Sequence, residues 1–238
     1  MSQNNAAIRH SSFMLTLLIS TILLVGCNLV QQEAVEETAT PPPTEGATKE
    51  AKLQEAVVSK ERGVWTLDTG ASQFRWTASR MVAKPHSGMI GITKGGLWVN
   101  EAGIQGGEFS IDMNRITEDG NNERFISHIK GADFFDVGNF PDAHFTITHL
   151  EKMSANQVGT EEYQVTGDLT FHGKTNSITF PAELSGGGDV LSATAEFEID
   201  RTRWGITFDS GSFFKDLGDR AIKNEIGIGL NLIFRIEE

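Results

Sequence analysis

Ile226-Gly227-Ile228-Gly229-Leu230-Asn231-Leu232-Ile233-Phe234-Arg235-Ile236 sets apolar side chains at every second position, and this spacing decides the fold class. Successive side chains of a strand point to opposite faces, so such a segment has one apolar face and one mixed face. The same period recurs toward the amino terminus. Phe74, Trp76 and Ala78 share a face, as do Phe109, Ile111 and Met113, and Phe145 with Ile147. Tyr163, Val165, Leu169 and Phe171 continue it, then Ile178, Phe180, Ala182 and Leu184, then Leu191, Ala193, Ala195, Phe197 and Ile199. Gly95-Gly96, Gly106-Gly107, Gly173-Lys174 and Ser185-Gly186-Gly187-Gly188-Asp189 read as turns between the runs. Only Asn122 to Val137 departs: Phe125, Ile126, Ile129, Phe134 and Phe135 predict a short helix and a turn, which Pro141 limits.

An antiparallel barrel and a sandwich both fit this pattern. Closure would remove the exposed edges of long apolar strands. A barrel of about eight strands leaves an interior just wide enough for side chains or one small ligand. The apolar faces mix Phe and Ile with small Ala193 and Ala195, and Gly227 and Gly229 lie nearby. That mix suits a cavity or a filled, tapering core.

The first 26 residues read as a secretory signal. Arg9 and His10 precede an apolar run from Phe13 to Val25, too short to span a hydrocarbon core of about 30 Å comfortably. Leu24-Val25-Gly26-Cys27 resembles the lipobox of bacterial lipoproteins. The resemblance implies cleavage before Cys27 and acylation there, so Cys27 is the expected lipid anchor. As the chain's one cysteine it has no intramolecular disulfide partner. Asn28 in place of an aspartate after the anchor leans, by likeness to lipoprotein sorting, toward the outer membrane. The expected location is thus the cell envelope, facing the periplasm. Residues 27–63 read as a tether: Glu36-Glu37 and Thr40-Pro41-Pro42-Pro43-Thr44 interrupt a stretch almost without apolar periodicity. As a flexible coil it would reach roughly 30–36 Å. The folded domain is expected from 64 to 238. The formal charge of −12 excludes nucleic acid as a partner and adhesion to anionic lipid through charge.

Metal and covalent chemistry find little support. No HxH, HxxxH or CxxC spacing occurs, and a tetrahedral site needs three or four convergent ligands. His144 and His149, five apart on one strand, are expected on opposite faces; His128 and His172 read as helix-surface and turn residues. No GxSxG elbow occurs. Asp133, Asp136 and Asp142 could mimic paired carboxylates, but Asp also caps helices and shapes turns. Arg201 and Arg203 beside Trp204 suit either a polar head group at the end of a bore or a salt-bridged strand end under an aromatic lid. No catalytic residue, metal or cofactor is assigned.

Five stretches carry a family resemblance. Trp65-Thr66-Leu67-Asp68 looks like an opening strand, and Gly107-Glu108-Phe109-Ser110-Ile111-Asp112-Met113 like a Gly-rich turn and strand. His128-Ile129-Lys130-Gly131-Ala132-Asp133-Phe134-Phe135-Asp136, followed by Phe140-Pro141-Asp142-Ala143-His144-Phe145, is the most specific. Tyr163-Gln164-Val165-Thr166-Gly167-Asp168-Leu169-Thr170-Phe171-His172-Gly173 and Asp200-Arg201-Thr202-Arg203-Trp204-Gly205-Ile206 complete the series. In this order they resemble the YceI-like (polyisoprenoid-binding, lipocalin-like) domain from about Trp65 to Ile236. The resemblance implies an all-β, eight-stranded antiparallel barrel with a short helix and a long hydrophobic bore. It also implies an amphipathic ligand such as a polyisoprenoid quinone or a fatty-acid derivative. Many members carry a His-Ser pair where this chain has Gly70-Ala71-Ser72; His86 is a candidate substitute.

Phe74, Trp76, Phe109, Ile111, Phe145, Ile147, Val165, Leu169, Phe171, Phe197 and Ile199 occupy the inward phase and, by the resemblance, line the ligand site. The expected function is sequestration or transport of a polyisoprenoid or acyl lipid, with the membrane reached through the anchor. A homodimer is left open. The rival readings are an envelope lipoprotein whose barrel is filled and whose surface acts, and an enzyme on isoprenoid or acyl chains.

Overall fold

The computed structural model describes residues 63–153 and 159–236. The expected signal sequence, the expected anchor Cys27 and the expected tether up to residue 62 lie outside the described residues. Ten antiparallel strands form one sheet: β1 (Gly63–Leu67), β2 (Gln73–Arg80), β3 (His86–Met89), β4 (Gly91–Asn100), β5 (Gly103–Asp112), β6 (Asp142–Lys152), β7 (Thr160–Phe171), β8 (Lys174–Gly187), β9 (Val190–Asp200) and β10 (Ile222–Ile236). Neighbours run β1-β4-β5-β6-β7-β8-β9-β10-β2-β3, and β1 also pairs with β10, which closes the sheet.

The barrel nevertheless has the eight staves expected. β10 carries two strands along one edge, Trp65–Leu67 near its end and residues 73–80 along the rest. β1 and β2 are therefore one stave interrupted at residues 68–72, and β3 and β4 are a second, broken at Ile90. The first break is held by side chains. Asp68 Oδ1 accepts the backbone N–H groups of Gly70 and Ala71, both at 3.1 Å, forming an Asx-type turn. Ser72 Oγ accepts the N–H of Ile233 at 2.9 Å, where a ladder bond would otherwise be.

Helix α1 (Glu123–Lys130) covers one end of the barrel, hereafter the helix end. Asn122 caps it by accepting the Phe125 N–H at 3.1 Å. The helix and the turns after it fill the stretch read from the sequence as a short helix and a turn, with Phe134, Phe135 and Val137 buried in the turns from Gly131 onward. β7 and β8 meet at the same end through His172 and Gly173, with φ of 49° and 70°, the left-handed pair that a two-residue hairpin turn requires. At the opposite, hairpin end lie the β4–β5 and β8–β9 turns.

Three local features correct the sequence reading. Gly95-Gly96 and Gly106-Gly107, expected as turns, lie inside β4 and β5 and pair across their ladder, and the turn between the two strands falls at Glu101-Ala102. The β6–β7 register shifts between Ile147 and His149, a bulge that inserts one residue. His144 and His149 therefore share the outer face, both exposed, while Ile147 and Leu150 turn inward. Gly227 and Gly229 face outward on β10, so they add no interior space; beside them Ile226, Ile228 and Leu230 face in. Gly167 is the inward glycine that matters. A Cβ there would lie 2.3 Å from Cζ of Phe145, whose ring rests on the bare backbone.

The core is continuous from Trp65 and Leu97 at the hairpin end to Ile129 and Phe134 under the helix. Full burial of such side chains contributes about 1.5–3 kcal/mol each. Trp65 Nε1 is the one buried side-chain nitrogen or oxygen among the described residues without a hydrogen-bond partner.

Candidate functional site

Two cavities lie end to end inside the barrel. The first, about 140 Å³, runs from the middle to the hairpin end, and its surface is entirely apolar. The second, about 160 Å³, runs from the middle to the helix end. Phe74, Ile111, Leu169, Ile199 and Ile228 line both and form a common waist. Small side chains at inward positions of β8 and β9, Ala182, Ala193 and Ala195, leave part of the first space unfilled.

All eleven inward positions named from the sequence line one cavity or both. Phe109, Phe145, Ile147, Val165 and Phe197 face the first, Trp76 and Phe171 the second, and Phe74, Ile111, Leu169 and Ile199 the two together. Their rings also touch one another: Phe109 and Phe145 lie 6.4 Å apart, Phe145 and Phe180 5.7 Å, and Phe180 and Phe197 stack at 4.1 Å. The interior is thus an aromatic wall around free space, neither empty tube nor solid plug.

Apart from Glu183 and Thr194 on the β8–β9 flank, the polar groups beside the cavities lie toward the two ends. At the helix end, Ser79, Arg80, His86 and His128 reach the second cavity. His86 stacks on Phe125 at 4.1 Å, and its Nδ1 lies 3.2 Å from Oε1 of Glu118. The N–H of Asn122 and, after it, the His86 ring hold the Glu118 carboxyl below the usual range. At the hairpin end, Glu161 Oε2 accepts the Tyr163 hydroxyl at 2.7 Å and its Oε1 accepts Lys152 Nζ at 2.6 Å. Burial, reinforced by Glu161, pushes the Tyr163 phenol above its ordinary value. Glu161 was missed in the sequence, although it shares the inward phase of Tyr163 and Val165 and is buried. Phe180, Ile178 and Leu230 were likewise left off the site although the same periodicity contained them.

The remaining candidates fall elsewhere. The exposed Gly70-Ala71 turn reaches neither cavity, and Ser72 spends its hydroxyl on Ile233. Asp133, Asp136 and Asp142 line neither cavity; Asp136 sits at a φ of 46° and accepts Asn139 Nδ2 at 2.9 Å, a turn-shaping role. His172 Nδ1 is 3.0 Å from the Trp204 carbonyl oxygen.

Arg201 corrects both readings made for it. It is fully buried and donates to the carbonyl oxygens of Lys223 at 3.2 Å, Ile206 at 2.9 Å and Ile222 at 3.2 Å, with Phe134 against its guanidinium at 5.4 Å. Neither a head group nor a salt-bridged strand end accounts for it: the guanidinium ties Ile206 to the first two residues of β10. Desolvation lowers its pKa, against the pull of Asp200, Asp209 and Glu225. Trp204, equally buried, donates Nε1–H to the Leu169 carbonyl at 3.0 Å, and Arg203 lies over its ring at 5.3 Å.

A closed eight-stave barrel, capped by one short helix and hollow along an apolar axis, has a lipocalin-like architecture. Residues 65–234 match the YceI-like domain. The chain belongs to that family. A UPF0312 protein of Pseudomonas putida is 38% identical over 81 residues, which cover 34% of this chain and 40% of that one. Protein YceI of Salmonella paratyphi B is 32% identical over 108 residues, 43% of this chain and 53% of the relative. The chain thus spans about half or less of the curated relatives it matches. Among solved structures, Burkholderia cenocepacia BcnA superposes with a TM-score of 0.58 at 22% identity, covering 70% of this chain and 98% of its own. A polyisoprenoid binding domain from Saccharophagus degradans, implicated in plant cell wall breakdown, gives 0.55 at 12% identity, with 74% and 100% covered. At these identities the likeness shows the shared fold.

Proposed function

We propose that this protein sequesters or carries a single-chain amphipathic lipid, a polyisoprenoid quinone-like molecule or a fatty-acid derivative, by non-covalent burial inside the barrel. The observation that carries the reading is the first cavity, whose inner surface is apolar even where Tyr163, Glu183 and Thr194 border it. Such a space rewards hydrocarbon and penalises a buried polar head, because an unpaired polar group in an apolar site costs several kcal/mol. The head must therefore stay at an opening, where the helix end presents Arg80, His86 and His128. The polyisoprenoid-binding description of the Saccharophagus degradans domain supports the same ligand class.

A cavity of about 150 Å³ lined by Leu, Ile and Phe accommodates a benzene-sized group. Two such spaces in line hold on the order of a dozen carbons, worth about 10 kcal/mol gross at about 0.8 kcal/mol per buried methylene. Association costs of at least about 4 kcal/mol leave about 6 kcal/mol or less, an affinity of roughly tens of micromolar or weaker for the cavities as they stand. Longer tails require the side chains of the wall to shift. In the cell the protein would act in the envelope, facing the periplasm and held at the membrane by the acylated Cys27, with chemical turnover absent.

Organic extraction of the purified protein followed by mass spectrometry, together with a tryptophan-quenching titration with decylubiquinone, tests the reading. Saturable 1:1 binding and recovery of an unmodified lipid are expected. A protein that yields no lipid and binds neither quinone nor fatty-acid probes would overturn it.

A further inference from the structure

The wall of the barrel is slit on one flank. β7 and β8 pair along their whole length, Thr160 with Ser185 through Phe171 with Lys174, and β9 pairs as fully with β10, Val190 with Arg235 through Asp200 with Glu225. Between β8 and β9 the ladder covers only Glu183–Gly187 with Val190–Thr194. From there toward the helix end the strands continue side by side without pairing. Continued register would oppose Phe180 and Phe197; their rings instead stack across the gap at 4.1 Å, inclined by 10°. Farther down, Arg203 Nη2 donates to the Ser177 carbonyl at 2.8 Å and Asn176 Nδ2 to the Arg203 carbonyl at 3.1 Å, lacing the slit shut.

The sequence maintains this opening. Pro181 lies on the β8 edge of the slit and has no N–H to donate to a ladder. Exposed Glu196 and Glu198 stand on the β9 edge. Proline and outward charges are the devices that keep an unpaired edge from finding a partner. The first cavity reaches the fork: Glu183 and Thr194, which face outward and form the last paired step, contribute to its lining. The β5–β6 ladder is also partial, covering Glu108–Asp112, but there the cavity meets only inward Ile104, Ile147 and Leu150.

We propose that the hydrocarbon chain enters and leaves through this flank slit, with the Phe180–Phe197 ring pair as its gate. The inference rests on the lipid-carrier reading above. Two facing rings can part by side-chain rotation while the ladders above and the lacing below stay intact. Glu183, Glu196 and Glu198 make the rim acidic, so the route suits a neutral or cationic head group better than an anionic one.

The test uses the full chain carrying Cys27→Ser with Thr179→Cys and Glu198→Cys, exposed positions on either side of the slit, bridged by a bismaleimide with a cleavable spacer. Stopped-flow tryptophan quenching by decylubiquinone is the readout. Bridging should slow association and dissociation together by about tenfold or more with affinity nearly unchanged, and cleaving the bridge should restore both rates. A Gln105→Cys, Thr148→Cys pair bridged across β5 and β6 should leave the rates within about twofold. Unchanged exchange in the slit-bridged protein, or slowing only in the β5–β6 pair, overturns the gate. If the unbridged protein shows no saturable quenching, the carrier reading itself fails, a result distinct from normal binding through a sealed flank.

Discussion

Replacing Ala195 by Phe asks directly whether the interior is free space. Ala195 is buried, faces inward on β9 and lines the first cavity. The added phenyl ring is the size of the guest that a cavity of about 150 Å³ accepts, and the space available is about 140 Å³. At about 24 cal/mol per Å³, filling all of it would be worth up to about 3 kcal/mol. Imperfect fit offsets about 1–3 kcal/mol of that. The net expectation is a stability within about 1 kcal/mol of the parent, or a small gain, read from urea unfolding. Binding should behave in the opposite way. The ring occupies the place of about six ligand carbons, so decylubiquinone affinity should fall by more than about 100-fold. A loss of more than about 2 kcal/mol in stability with affinity retained would refute the reasoning, since it would mean that no free volume exists there and that the ligand lies elsewhere.

Tyr163 is the chain's only tyrosine, so tyrosinate absorbance reports it without ambiguity. Its folded pKa is raised above the unfolded value near 10, so its contribution to stability is intact below about pH 10 and is lost as pH rises beyond. Absorbance should stay silent at pH 11 until the barrel unfolds; a reversible midpoint near 10 in the folded protein contradicts the geometry with Glu161. Arg201→Met should cost about 3–5 kcal/mol in urea unfolding, because the fully buried guanidinium is removed and the carbonyl groups of Ile206, Ile222 and Lys223 lose their donor; a cost under about 1 kcal/mol would show the clamp to be dispensable. Ser72→Ala should cost about 1–2 kcal/mol and leave decylubiquinone affinity unchanged, since its hydroxyl serves the broken stave; weakened binding with intact stability would place Ser72 at the ligand.

Alternation alone carried the inner wall. The phase that put Phe109, Val165 and Phe197 on one face is the phase that lines the cavities, because a closed sheet has only one inside. What alternation could not carry were events that break the period. The bulge before His149 reverses the phase within one strand, and nothing in the composition of Thr146-Ile147-Thr148 announces it. The interrupted first stave depends on two side-chain bonds, from Asp68 and Ser72, to groups that become neighbours only after folding. Arg201 sits in a stretch that resembles its family closely, yet its burial follows from the return of the chain between residues 206 and 223, a contact no local pattern encodes. Glu161 was legible by phase and was missed because a carboxylate is not expected on an inner wall.

The most direct test of the account is a crystal structure of the protein grown with a single-chain lipid bearing a bromine at the tip of its tail. The account places the anomalous bromine peak inside the barrel, among Phe145, Val165 and Phe197, with the head group at an opening. A bromine found only on the outer surface, above an interior closed by its own side chains, would contradict it.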